Sequence, residues 1–170
     1  MRVLGIDPGT ASTGYGVVEE VEGDLNSVTF GVIRTPANQS LPTRLQTIYQ
    51  AVKELAVEWK PAAAAVEELF FSRNVRTAMS VGQARGVTLL ALVDAGLAVA
   101  EYTPLTIKQA VTGYGSADKA QMQEMVRLLL GLTEIPRPDD AADALAVAIC
   151  HLHSARLTAL SESGWVEERT

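Results

Sequence analysis

The sequence has one cysteine in 170 residues, Cys150, so no internal disulfide can form. It stands in an apolar helical run, where its expected role is packing. Histidine is almost as scarce. His151 and His153 lie well along the same run, and a packing or surface role is expected for both. No zinc-type spacing, no Gly-rich Walker loop and no Rossmann glycine fingerprint is present. No Ser-His-Asp arrangement is supported by spacing, and there is no repeat or low-complexity segment. No window approaches the roughly 18 consecutive apolar residues of a membrane helix. Met1 to Asp7 carries an acid too early for the apolar region of a signal peptide. A cytoplasmic protein without a membrane partner is the expectation.

Basic residues are also few. Fourteen Lys and Arg stand against 20 Asp and Glu, a net charge of −6. That weighs against a nucleic-acid partner, which normally needs cations for its phosphates. The distribution softens the objection. Residues 69–93 contain Arg73, Arg76 and Arg85 and no acid, whereas 138–170 hold six acids and two arginines. If some of those acids are metal ligands, bound divalent cations would neutralise them and draw phosphate in.

What is present reads as one α/β domain. Residues 2–7 form an apolar run that ends at Asp7 and the turn signal Pro8-Gly9. Residues 13–22 and 27–35 read as two more strands around a hairpin turn at Gly23-Asp24. A helix from Pro42 to about Trp59 follows, with Leu45, Ile48, Val52, Leu55 and Ala56 on one face. Ala62 to Glu67 is short and bounded by proline, and is taken as a buried parallel strand despite its alanines. Then come a helix over 74–95, a strand over 97–102, and helices over 104–111, 118–130 and about 140–156. The domain is expected to span 1–157, with 158–170 a polar, poorly ordered tail. The order β-β-β-α-β-α-β-α-α-α implies a five-stranded mixed sheet flanked by helices on both faces.

Acids stand at three element ends. Asp7 closes the first strand, Glu67 and Glu68 close the fourth, and Asp139, Asp140 and Asp143 open the last helix. Functional residues of open α/β sheets gather at the carboxyl ends of parallel strands. Side chains alternate along a strand, so only one of the two glutamates can face Asp7. Asp140 and Asp143 share a helix face, although Asp139 or Asp140 could simply cap that helix. Clustered carboxylates repel unless a cation lies between them. Oxygen-only ligands suit Mg²⁺ or Mn²⁺, and two such ions are the usual apparatus for attack on a phosphodiester.

These residues also carry a resemblance. Leu4-Gly5-Ile6-Asp7-Pro8-Gly9-Thr10 with Thr13-Gly14-Tyr15-Gly16-Val17 is similar to the opening of the bacterial RuvC family. Ala65-Val66-Glu67-Glu68-Leu69-Phe70, Gly82-Gln83-Ala84-Arg85-Gly86-Val87, Val111 to Lys119, and Asp140 to Ala146 resemble further family segments. The match runs over about 1–157. It implies an RNase H-like fold and a crossover (Holliday) junction endodeoxyribonuclease acting in recombination and DNA repair. It implies a catalytic, metal-binding tetrad of Asp7, Glu67, Asp140 and Asp143 holding two Mg²⁺ or Mn²⁺ ions. Glu68 and Asp139 fall outside that tetrad. Lys108 and Lys119 match basic positions near the scissile phosphate, and Phe70 an aromatic that meets bases at the crossover, a part Phe71 could share. Arg73, Arg76 and Arg85 are candidate DNA contacts. The implied partners are four-way junction DNA, a second copy in a homodimer, and the RuvA and RuvB branch-migration complex. Two other protein classes share parts of this pattern. A sugar-kinase-like ATPase shares the Asp-x-Gly-Thr loop but needs a second, repeated domain. A non-catalytic junction-binding module would be expected to lack one of the acids.

Overall fold

The computed structural model describes residues 1–68 and 75–167, with the side chains of 75–77, 160 and 162–167 left aside. Phe70, Phe71 and Arg73 lie outside the described residues, as does the side chain of Arg76.

Five strands and five helices occur in the expected order. The strands are β1 (Arg2–Asp7), β2 (Ser12–Val21), β3 (Asp24–Arg34), β4 (Ala63–Glu67) and β5 (Val99–Tyr102). They form one mixed sheet in the order β3-β2-β1-β4-β5. The pairs β1–β2 and β2–β3 are antiparallel, while β4 joins β1 and β5 joins β4 in parallel. β1 is therefore central, which explains why its middle residues are apolar on both faces.

The helices are α1 (Leu41–Trp59), α2 (Val75–Asp94), α3 (Pro104–Thr112), α4 (Lys119–Leu129) and α5 (Asp139–Glu167). Local chemistry sets several of their ends. The Ser40 side chain accepts from the Thr43 amide at the start of α1, Thr103 does the same for α3, and Asp118 forms a capping box with Gln121 on α4. Each such cap stabilises a helix start by about 1 kcal/mol. Gly113 ends α3 in the left-handed region, at φ 85°.

Most boundaries lie within two residues of expectation, and the larger differences are at the first hairpin and the end of the last helix. The β2–β3 hairpin turns on Glu22 and Gly23, not Gly23 and Asp24. Both have positive φ, 54° and 94°, as a two-residue turn of matching twist requires, and Asp24 is already paired with Val21. α5 does not stop near 156 but runs to Glu167. Its polar side chains hid the good helix formers Leu157, Ala159 and Leu160, and no proline interrupts them.

The sheet has a core on each face. Leu4, Ile6, Val17, Ala64 and Val66 pack with α1 and α2 through Ile48, Val52, Ala84, Ala91 and Leu92. Val3, Val18 and Ala65 face α3, α4 and α5 through Ile107, Val111, Val126, Leu145 and Ile149. Strand alternation is thus resolved residue by residue, and it assigns Gly5, Asp7 and Glu67 to the α5 face. Cys150 is fully buried in that second core. Burial pushes its thiol up to about 11, so it packs as a small apolar side chain. His151 and His153 serve the same face: their Nδ1 atoms meet the Tyr102 hydroxyl and the Ala110 carbonyl, each at 2.9 Å.

Candidate metal centre

The site begins with a close approach of backbone to backbone. Gly5 of β1 and Gly14 and Gly16 of β2 lie side by side on the α5 face: Gly5 pairs with Gly16, and Asp7 with Gly14. A Cβ at Gly14 would overlap the Asp140 carbonyl, one at Gly5 the Ala144 carbonyl, and one at Gly16 the Leu145 side chain. The three glycines form a floor on which the first turns of α5 rest directly. That contact carries Asp140 and Asp143 to the end of β1.

Carboxylate oxygens of Asp7, Asp140 and Asp143 all lie within 4.8 Å of one another. Glu67 reaches the group from β4. In the parallel register Ile6 stands beside Val66, so the next residues, Asp7 and Glu67, end neighbouring strands together. The Glu67 side chain shares a hydrogen bond with Asp7 and feels the charge of Asp143. Glu68 instead continues the edge ladder, its amide donating to the Tyr102 carbonyl at 2.8 Å.

Electrostatics record the crowding. Burial, then the charges of Glu67, Asp143 and Asp140, push the Asp7 carboxyl up to about 8, with Lys119 opposing. Glu67 is also raised, by burial first and then by Asp143, while the Asp7 hydrogen bond, Lys108 and Lys119 pull it back. Burial raises Asp143 against the charge of Lys119. Lys119 Nζ lies 3.4 Å from Asp143 and 3.1 Å from Asp139. Burial works against its charge, but those two acids outweigh it and hold the lysine above its ordinary range. Asp139 is drawn the other way, lowered by its bond from Lys119, and it also meets Arg137 at 2.6 Å. It steadies a lysine rather than joining the cluster. Beside these acids lies a cavity of about 270 Å³, lined by Glu67, Asp143, Lys108, Lys119, Pro104, Ile107, Met122 and Ala146.

The donor set is oxygen only and buried enough that its charges repel, which suits a hard divalent cation. Two sets of contributing residues escaped the sequence reading. One is the glycine floor, whose signal was the Gly-x-Gly spacing on β2. The other ties down the loop after Asp7. Thr13 Oγ1 donates to the Gly9 carbonyl at 2.7 Å and Thr10 Oγ1 to Ser80 of α2 at 2.8 Å. Thr35 Oγ1 donates to the Thr10 carbonyl while accepting from Arg44 Nε of α1. Arg85, expected to be a DNA contact, donates from Nε to the Glu67 carbonyl at 3.3 Å and pairs with Glu101.

Among known proteins, the family model for crossover junction endodeoxyribonuclease RuvC matches residues 3–151. The RuvC of Syntrophomonas wolfei is 57% identical over 163 residues, 96% of this chain and 95% of its own. That of Chloroflexus aurantiacus is 60% identical over 155 residues, 91% of this chain and 94% of its own. The structure of T. thermophilus RuvC in complex with a Holliday junction substrate superposes with a TM-score of 0.88 at 40% identity, covering 93% of this chain and 96% of that one. The sheet order and its helical layers are those of the RNase H-like fold. Matched along nearly its whole length in sequence and in fold, the chain belongs to the RuvC family of crossover junction endodeoxyribonucleases.

Proposed function

We propose that this chain resolves four-way DNA junctions by metal-dependent hydrolysis of phosphodiesters in paired strands, leaving 5′-phosphate and 3′-hydroxyl ends. The observation that carries the chemistry is the meeting of Asp7, Asp140 and Asp143 oxygens within 4.8 Å, with Glu67 joined to Asp7. These four would hold Mg²⁺ or Mn²⁺, two ions in all. A bound divalent ion supplies acidification of a water for attack on phosphorus and relief of charge on the departing 3′ oxygen. The chain's own cations do the rest. Lys119 and Lys108 stand on the cavity wall beside Glu67 and Asp143, placed to offset charge that grows on the phosphate. Phe70, Phe71, Arg73 and Arg76 are proposed to meet the junction itself.

A cleavage assay tests this reading. A synthetic four-way junction is expected to receive paired nicks in Mg²⁺ or Mn²⁺, with a linear duplex of the same sequences left intact and EDTA stopping the reaction. Equal cutting of both substrates would reduce the protein to a general nuclease.

Symmetric cleavage needs two sites, and a two-fold dimer supplies them. α2 offers a surface for it. Met79, Leu90 and Val93 are all more than half exposed. At 100° per residue they fall within an arc of about 60°. Gly86 lies in the same stripe, open to solvent, and would let a second helix approach closely. Leu90→Glu is expected to convert a dimer to a monomer in sedimentation and to uncouple the two nicks. An unchanged sedimentation coefficient would remove α2 from the interface. RuvA and RuvB are proposed as the assembly with which the dimer acts.

A further inference from the structure

Arg85 is the one arginine of residues 69–93 whose side chain is described, and it turns inward. Its surroundings follow from the sheet. Glu67 is the last residue of β4, and the pairing of β4 with β1 ends one residue earlier, at Ile6 and Val66. Near that end Arg85 takes hold of the strand, Nε donating to the Glu67 carbonyl. The other arm of the guanidinium pairs with Glu101 of β5. Glu101 stands beside Val66 in the β4–β5 register, so both point to the α2 face, where Val66 is fully buried. Arg85 thus ties the ends of two neighbouring strands to α2, from the face opposite the carboxylate cluster. A planar fork with fixed donor directions suits this double attachment in a way a lysine does not.

We propose that Arg85 is a positioning residue. From behind the sheet it fixes the end of β4, and through it the placement of the Glu67 carboxylate beside Asp7. The role rests on the nuclease reading above and assigns Arg85 to the metal centre rather than to DNA. Partners behind first ligands commonly govern metal affinity or activity by about 10- to 100-fold.

Three variants test it. Arg85→Gln removes the fork, Arg85→Lys keeps the charge without it, and Glu101→Ala removes the anchor while leaving the arginine. For each, the junction cleavage rate at saturating substrate is followed as Mn²⁺ is raised. Junction affinity is measured in EDTA, and the rise in melting temperature caused by Mn²⁺ is measured without DNA. In Arg85→Gln the Mn²⁺ concentration for half-maximal rate is expected to increase about 10-fold or more, with a smaller Mn²⁺-induced thermal shift and unchanged junction affinity. Arg85→Lys should fail to restore either. Glu101→Ala should move both the same way by less.

A DNA contact gives the opposite pattern. Arg85→Gln would then lose junction affinity with a normal metal response, Arg85→Lys would rescue it, and Glu101→Ala would bind DNA more tightly by freeing the cation. That pattern overturns the proposal, as would a metal response unchanged in all three. Should Arg85→Gln fail to fold, the partly exposed Glu101 still yields the variant that decides. Failure of the nuclease reading would show separately, as absence of cleavage by the unaltered chain, while the thermal response to Mn²⁺ would still report on Arg85.

Discussion

Asp7→Asn is expected to abolish junction cleavage and, in the same protein, to raise the stability of the metal-free fold. Both follow from the proposed metal centre: Asp7 is buried among Glu67, Asp143 and Asp140, where its charge is unwelcome without a cation and would be needed with one. Losing several kcal/mol of metal-assisted catalysis lowers the rate by roughly 10³-fold or more. Junction binding should survive, because Asn keeps the shape and can still donate to Glu67. The stability gain has a definite pH dependence. Asp7 is pushed up to about 8 in the fold, by burial first and by Glu67, Asp143 and Asp140 after it, against an unfolded value near 3.8. Between about pH 4 and pH 8 the folded chain binds a proton that the unfolded chain has released. Stability of the unsubstituted chain must therefore fall as pH rises through that window, by at most about 6 kcal/mol, and level off on either side. Asn has no proton to lose, so the advantage of the variant should widen from pH 5 to pH 8. Denaturant titrations in EDTA at several pH values would show it, and added Mn²⁺ should narrow it again by stabilising the unsubstituted chain more. Residual cleavage near the normal rate would remove Asp7 from the metal centre. Parallel stability curves for the two proteins would mean that the cluster does not strain the fold.

How much of this could be read from the sequence differs by element. The order of all ten elements was legible, since period, proline and glycine mark them locally. So was the pairing of Asp7 with one of two glutamates, because alternation allows only one. Which one needed either a family resemblance or the register, for the choice turns on Val66 being buried on the α2 face. The hairpin turn was misplaced by one residue because Glu22 is not a residue one expects at φ 54°. Tertiary pairing with its neighbour overrode the local preference. Arg85 shows a further limit. A basic residue in an acid-free stretch suggests a DNA contact, and only the fold reveals that Glu101, sixteen positions later, stands beside it. The acids of α5 were visible as an element end, but nothing local says that this helix lies flat on β1 and β2. That information is held by three glycines far away in the chain.

Those glycines carry the second large effect. Gly14→Ala is expected to destabilise the protein by about 3 kcal/mol or more and to lower cleavage by about 100-fold in whatever remains folded. The usual cost of glycine in a strand argues the other way, since alanine should gain something from reduced unfolded-state entropy. Contact decides the sign. The new methyl would overlap the carbonyl of Asp140, which belongs to helix backbone and cannot rotate aside as a side chain could. Either β2 bends outward or the start of α5 lifts. Lifting α5 opens the core where Ala144, Leu145 and Ala148 are fully buried, and draws Asp140 and Asp143 away from Asp7. A displacement of about 1 Å at reacting groups is enough for a 10²-fold loss. Gly23→Ala separates this from a general intolerance of substitution at glycine. Gly23 has only the Arg156 side chain near its added Cβ, at 3.9 Å, so its cost is the positive φ alone, about 1 kcal/mol, with cleavage unaffected. Melting temperature and single-turnover cleavage of both variants would decide the matter. If Gly14→Ala matched Gly23→Ala in both, α5 would have room above the sheet, and the metal centre would not depend on a glycine floor.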